Sequence, residues 1–316
     1  MDAEQAKRLC EEAVGIITAG RSAEDDARAA EMFRSVSDAG FPGGMFGLAD
    51  LKMSGRGTPK DPDGAIALYS KAGDMGNIPA LFRLGNLYYS EESYSDPVKA
   101  ADCFLKCCRA GFSPAFNCMG DVYYYGRGIV RDPVAAAEFY TSGARAGDPI
   151  AMFKLGCMYE MGIGVRADSK SSEEMFRGAA DAGVPEAQFK MASLCYDGLS
   201  EGGKGKAAEW YTMCQGAIPV AKFNLATMYF GGDGVEKDAP KAFAMYKELA
   251  DVGDADAMFQ VGKMIMDGEG VPQDPENAFR WIGKAAKAGN AEAQAVVESL
   301  RRRQNAQVIH IDNAEQ

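Results

Sequence analysis

Residues 132–168 read DPVAAAEFYTSGARAGDPIAMFKLGCMYEMGIGVRAD, and the rest of the chain is a set of variations on this stretch. Asp132-Pro133 is a helix start, with Asp as N-cap and Pro at the first helical position, where its missing N–H costs nothing. Ala136, Tyr140, Gly143 and Ala144 then recur at i, i+4, i+7 and i+8, one face of a helix. Gly147-Asp148-Pro149 ends that helix, and Ala151, Leu155, Met158 and Tyr159 repeat the spacing in a second one. Gly162-Ile163-Gly164-Val165 closes the second helix and leads to Asp168, where the plan begins again.

Working outward, the landmark aspartate falls at Asp25, Asp61, Asp96, Asp132, Asp168, Asp238 and Asp274. Gly203 fills the one missing slot, so the steps are 36, 35, 36, 36, 35, 35 and 36 residues. A fixed period in this range means stacked copies of one helix-turn-helix unit, each packing on its neighbours. An array of that kind offers an extended surface, and the first functional expectation is binding. The aromatic slot of the first helix holds Phe33, Tyr69, Phe104, Tyr140, Phe176, Tyr211, Tyr246 and Ile282, predicted to fill the core between helices. A glycine recurs in mid-second-helix (Gly85, Gly120, Gly156, Gly262), where it costs about 1 kcal/mol against alanine. Its repeated use at one slot predicts a close helix crossing.

Composition narrows the function. The 316 residues carry a net charge of −11 and are 47% hydrophobic. The acidic balance argues against a phosphate-backbone binder, so no nucleic-acid partner is expected. The N-terminus lacks an apolar signal core, and no run approaches the ~20 apolar residues of a spanning helix. The expectation is a cytoplasmic protein without a membrane partner. The eight cysteines do not follow the repeat period, which fits reduced thiols better than a disulfide ladder.

Catalytic candidates are few, and no enzyme is expected. The single histidine, His310, excludes within this chain a His-based triad or a multi-His zinc site. Segments such as Gly126-Arg127-Gly128 follow helices and recur per repeat, as helix-ending turns do, so they are not phosphate loops. Cys103, Cys107, Cys108 and Cys118 form one group with metal or redox potential. Against this, Cys107 and Cys108 occupy the slot of Gly143-Ala144 and Ala285-Ala286, where cysteine serves as a small buried residue. A metal-binding or redox protein built on this group stays open as the alternative, with a single-stranded RNA binder behind it. The preferred reading has no cofactor and no metal.

The recurring Ala-x-x-x-Leu-Gly-x-x-Tyr, Gly-x-Gly-Val, Asp-Pro and Ala-rich helix over residues 24–300 resembles the Sel1-like repeat family, a branch of the tetratricopeptide-like solenoids. The stretch Ala278 to Ala293 carries the resemblance most fully. Departures are Glu91-Glu92-Ser93-Tyr94 in place of one Gly-x-Gly loop, a blurred Leu199-Ser200-Glu201-Gly202, and a short turn at Gln215–Pro219. The resemblance implies an all-α, right-handed α/α superhelical solenoid of about seven repeats. Residues 1–23 would be an N-terminal capping helix, 24–290 the repeats, 291–303 a C-terminal capping helix and 304–316 a disordered tail. Within that tail Val308-Ile309-His310-Ile311 could instead pair as a strand. The resemblance also implies a protein-interaction scaffold or adaptor, with the second helices lining a concave groove. The groove candidates are Asn86, Tyr89, Asp121, Tyr124, Tyr125, Glu160, Tyr196, Phe230 and Lys263. Polar groups beside a row of aromatics suit an extended peptide or a protein segment as partner.

Overall fold

The computed structural model describes the backbone of residues 1–314 apart from Arg21, and side chains as far as Arg302. Among these residues there are seventeen α-helices, one 3-10 turn at Glu92–Tyr94 and no strand. The helices are α1 (Ala3–Ala19), α2 (Ala23–Asp38), α3 (Pro42–Ser54), α4 (Pro62–Asp74), α5 (Ile78–Ser90), α6 (Pro97–Arg109), α7 (Ser113–Tyr125), α8 (Pro133–Arg145) and α9 (Pro149–Met161). They continue as α10 (Ser169–Asp181), α11 (Pro185–Tyr196), α12 (Gly203–Cys214), α13 (Pro219–Gly231), α14 (Ala239–Asp251), α15 (Ala255–Asp267), α16 (Pro275–Lys287) and α17 (Ala291–Ala314). Even-numbered helices from α2 to α16 are the first helices of the repeats and odd-numbered ones from α3 to α15 the second, an all-α repeat solenoid. The chain divides into two compact units, Met1–Ser172 and Glu173–Gln316. Within each unit a helix packs chiefly on its chain neighbours; in the first, α1 also reaches α3. The backbone of α17 is helical to Ala314. The tail expected to be disordered is 304–316, whose side chains, with the whole of Glu315 and Gln316, lie outside the described residues.

The landmark aspartate has two jobs. Its carboxylate caps the following helix: Asp61 accepts from Gly64 N–H, Asp96 from Lys99, Asp132 from Val134 and Ala135, Asp238 from Lys241 and Asp274 from Asn277. Its own N–H donates to a carbonyl near the end of the preceding helix: Asp61 to Lys52, Asp132 to Tyr123, Asp168 to Tyr159, Asp238 to Tyr229 and Asp274 to Ile265. Asp96 does the same one residue closer, to Tyr88, because its loop is shorter. Asp25 departs from the pattern. It lies inside α2, whose N-cap is Ser22, so the helix starts earlier than the landmark implies. At the missing slot Gly202 takes the cap position with φ +97°, and no side chain caps α12.

The second glycine of each Gly-x-Gly turn lies against the start of its repeat's first helix. A Cβ on Gly128 would fall 2.4 Å from the Pro97 carbonyl carbon, and one on Gly164 2.1 Å from the Pro133 oxygen. Where Glu91–Tyr94 replaces this turn, Tyr94 comes near Asp63 at the start of α4 instead, and its hydroxyl is held above its ordinary pKa, by desolvation first and then by that carboxylate.

The eight residues of the aromatic slot are all buried, from Phe104 at 0% to Ile282 at 5% exposure. They explain the mid-helix glycines. A Cβ on Gly120 would sit 2.4 Å from the Tyr140 ring, one on Gly85 2.8 Å from Phe104, and one on Gly262 2.7 Å from Ile282. The glycine is therefore a seat for the next repeat's core side chain, and the close crossing expected from sequence is a side-chain-on-backbone contact. A second ring tilts onto the first at Phe46–Tyr69 (6.1 Å), Phe82–Phe104 (6.0 Å), Phe189–Tyr211 (5.7 Å) and Phe223–Tyr246 (5.1 Å).

Candidate binding face on the second helices

The slot two residues past the Leu of each second helix holds Asp50, Asn86, Asp121, Cys157, Ser193, Thr227 and Lys263. Its hydrogen bonding follows the core residue of the next repeat. Where that residue is tyrosine, its hydroxyl needs a partner at the edge of the core, and the slot supplies one. Tyr69 donates to Asp50 Oδ1 and Tyr140 to Asp121 Oδ1 at 2.7 Å. Tyr211 meets Ser193 Oγ at 3.4 Å and Tyr246 meets Thr227 Oγ1 at 2.7 Å. Where the core residue is Phe104 or Ile282, no hydroxyl arrives, and the slot holds Asn86 or Lys263.

The residue before the Leu on the following second helix completes the ladder. Lys154 Nζ holds both oxygens of Asp121, at 2.6 and 2.7 Å; Arg83 Nε stands 3.7 Å from Asp50; Asn224 donates to the Tyr211 hydroxyl at 3.2 Å. Asp121 is thus fully engaged inside the fold. The Tyr140 hydroxyl is held well above its ordinary pKa, by burial first and then by this carboxylate. Asn86 makes no side-chain hydrogen bond among the described residues, and its side chain is open to a ligand.

The aromatic candidates of the first unit gather at the ends of α5 and α7. Tyr89 meets Phe104 edge-on at 6.0 Å, and the Arg127 guanidinium lies 4.8 Å from its ring centre. Burial raises the Tyr89 pKa, the Asp121 carboxylate adds to it, and Arg127 opposes it. Tyr124 and Tyr125 are edge to face at 5.1 Å, with Tyr125 63% exposed. Arg131 lies 5.7 Å over Tyr124 and donates Nε–H to the Tyr124 carbonyl at 2.9 Å. Glu160 is exposed near the end of α9. So Tyr89, Asp121, Tyr124 and Tyr125 share one neighbourhood with Cys118 and Tyr140.

The other candidates belong to the second unit. The Tyr196 hydroxyl donates to Asp233 Oδ2 at 3.3 Å, and Lys204, 4.9 Å from the Tyr196 ring, pairs with the same carboxylate at 2.8 Å. Lys237 lies 5.7 Å over Phe230, and the exposed Lys263 lies 5.7 Å over Phe259.

Sequence reasoning missed a cleft in the first unit. A cleft of about 750 Å³ is walled by α1 (Cys10, Val14, Ile17) and floored by α3 (Phe46, Asp50, Met53) and α5 (Arg83, Asn86, Leu87). Of the candidates only Asn86 lines it. Extending the slot register back one repeat reaches Asp50, and that was the available signal. Nothing in the sequence shows that α1 folds over to make a wall.

The cysteine group has the chemistry of a core. Burial pushes the thiols of Cys103 and Cys107 up to about 11 and those of Cys108 and Cys118 to about 12. Among the described residues no three His, Cys, Asp or Glu side chains converge on a metal-sized space. No helix among them is long and apolar enough to cross a membrane.

The Sel1 repeat model matches residues 42–77, 78–112, 119–148, 149–184, 185–213, 219–254 and 255–290. A solved structure of c5321, a protective antigen present in uropathogenic Escherichia coli strains and displaying an SLR fold, superposes with a TM-score of 0.84 at 26% identity. The match covers 94% of this chain and 65% of that one, so the chain spans just under two thirds of that antigen's length. A Sel1 repeat protein from Oxalobacter formigenes superposes with a TM-score of 0.70 at 26% identity, over 93% of this chain and 87% of that one. No curated protein matches the chain. Seven matches to one repeat model, on helix pairs built around one core slot, make this chain a member of the Sel1 repeat family.

Proposed function

We propose that this chain is a non-enzymatic interaction scaffold that seats a peptide or an extended protein segment on its second helices. Sel1 repeat proteins are generally protein-interaction scaffolds. The observation that carries the finer reading is the division of labour along the slot: Asp50, Asp121, Ser193 and Thr227 are consumed inside the fold, whereas Asn86 is left open beside the cleft and the Tyr89–Tyr125 cluster. An amide with a free donor and a free acceptor can pair with an extended backbone, and nearby rings supply apolar contact for its side chains. Tyr89, Tyr124 and Tyr125 are the anchors in the first unit. Asp121 acts through Tyr140 and Lys154 as a positioning residue. Glu160 offers a further contact in the first unit, and Tyr196, Phe230 and Lys263 are the candidates of the second unit taken by itself.

The test is peptide selection against the full chain from a random 12-residue display library, followed by fluorescence anisotropy with the selected peptides. Truncating a central aromatic anchor costs about 2 kcal/mol, roughly thirtyfold in affinity. Tyr125→Ala and Tyr89→Ala are expected to weaken binding by that order while far-UV circular dichroism stays unchanged. Affinity unmoved by both would place the binding surface elsewhere.

A further inference from the structure

We infer that the segment seated at the end of α7 is acidic, with carboxylates taken by Arg127 and Arg131; this rests on the peptide reading above. The chain has 45 acidic and 34 basic side chains, so a basic group has carboxylates to spare around it. Some neighbours in the first unit use them, Lys99 with Asp96, Lys106 with Asp102 and Lys154 with Asp121, while Arg109 and Arg145 form no ion pair among the described residues. Arg127 and Arg131 pair with none among the described residues. Each is held against a ring instead, 4.8 Å from the centre of Tyr89 and 5.7 Å from that of Tyr124.

A guanidinium kept beside a ring retains most of its five N–H donors, which can take a planar carboxylate. Arg131 commits only its Nε–H, to the Tyr124 carbonyl, which fixes the side chain and leaves both terminal nitrogens free. Asp121, a carboxylate of the same neighbourhood, is already held by Tyr140 and Lys154. Tyr125, 63% exposed and edge-on to Tyr124, supplies an apolar contact in the same place. The complement of two free guanidinium groups around an exposed phenol ring is a short segment with two Asp or Glu side chains flanking an apolar or aromatic one.

The experiment uses the full chain and the 12-residue library again. Wild type is expected to enrich peptides with paired Asp or Glu around a hydrophobic residue. The double variant Arg127→Gln/Arg131→Gln should bind them at least tenfold more weakly, and Arg127→Glu/Arg131→Glu should enrich Lys and Arg instead. Both arginines are exposed, and thermal melts check that the variants remain folded. Enrichment of neutral or basic peptides by wild type, or acidic peptides bound within twofold by the glutamine variant, would overturn the acidic assignment. The peptide reading would survive that result if Tyr89→Ala and Tyr125→Ala still weaken binding about thirtyfold. A phosphoserine-substituted peptide binding tenfold more tightly than its glutamate parent would assign the arginines to phosphate instead. No enrichment at all would remove the peptide reading, and this inference with it.

Discussion

Asp121 shows how one side chain can resemble a ligand-binding group and yet serve the fold. Its two oxygens take a core hydroxyl from the next repeat and an ammonium from the next second helix. Removing it strands both, and an unpaired, half-buried donor costs more than the bond was worth. Asp121→Ala is expected to cost about 2 kcal/mol of stability, measured by urea unfolding. Tyr140→Phe should cost less, and the two together less than their sum, since the phenylalanine no longer needs the carboxylate. Strict additivity would show that the Tyr140–Asp121 bond carries no coupling. This pairing was not legible in the sequence, because the partner of a slot is fixed by which residue of the following repeat falls opposite it. The core ring itself was legible, since its spacing from the helix start is local. Asn117 shows the same limit. It stands in the slot that holds Phe82 one repeat earlier and Phe153 one later, and its Oδ1 is buried without a hydrogen-bond partner. The substitution can be seen in the sequence, but its unpaired oxygen cannot.

Among the elements, the first helices were the most predictable because their start signals are covalently close to the helices they start. Asp132 caps α8 through its carboxylate while its N–H closes α7 onto the Tyr123 carbonyl. Asp132→Ala removes only the first bond and is expected to cost about 1 kcal/mol, whereas Asp132→Asn should cost a few tenths. Equal losses in thermal denaturation would mean that the capping oxygen is not the source. The α2 start was misplaced for a matching reason: Ser22 is as good a cap as aspartate, and it comes first. The wall made by α1 was beyond reach, since a helix outside the repeat period carries no register.

At the scale of the molecule, a repeat array has no single core, and its stability is a sum over units and nearest-neighbour contacts. The two compact units meet at Ser172 and Glu173 in sequence. Asp132→Ala is therefore expected to speed amide hydrogen exchange in α7, α8 and their neighbours in the first unit while leaving residues 185–290 at wild-type rates. Uniform acceleration through residue 290 would instead show that the chain opens as one cooperative body.

The double use of the landmark aspartate has a consequence for how such a chain can change length. A latch that fastens the end of one helix and the beginning of the next fixes the loop between them, and that loop varies by a single residue among the latched repeats. Growth by a few residues at this junction would unfasten two helices at once. Duplication or loss of a whole latch-to-latch cassette leaves every fastening intact. Length in this architecture is quantised, and the reach of the binding face changes in steps of one cassette.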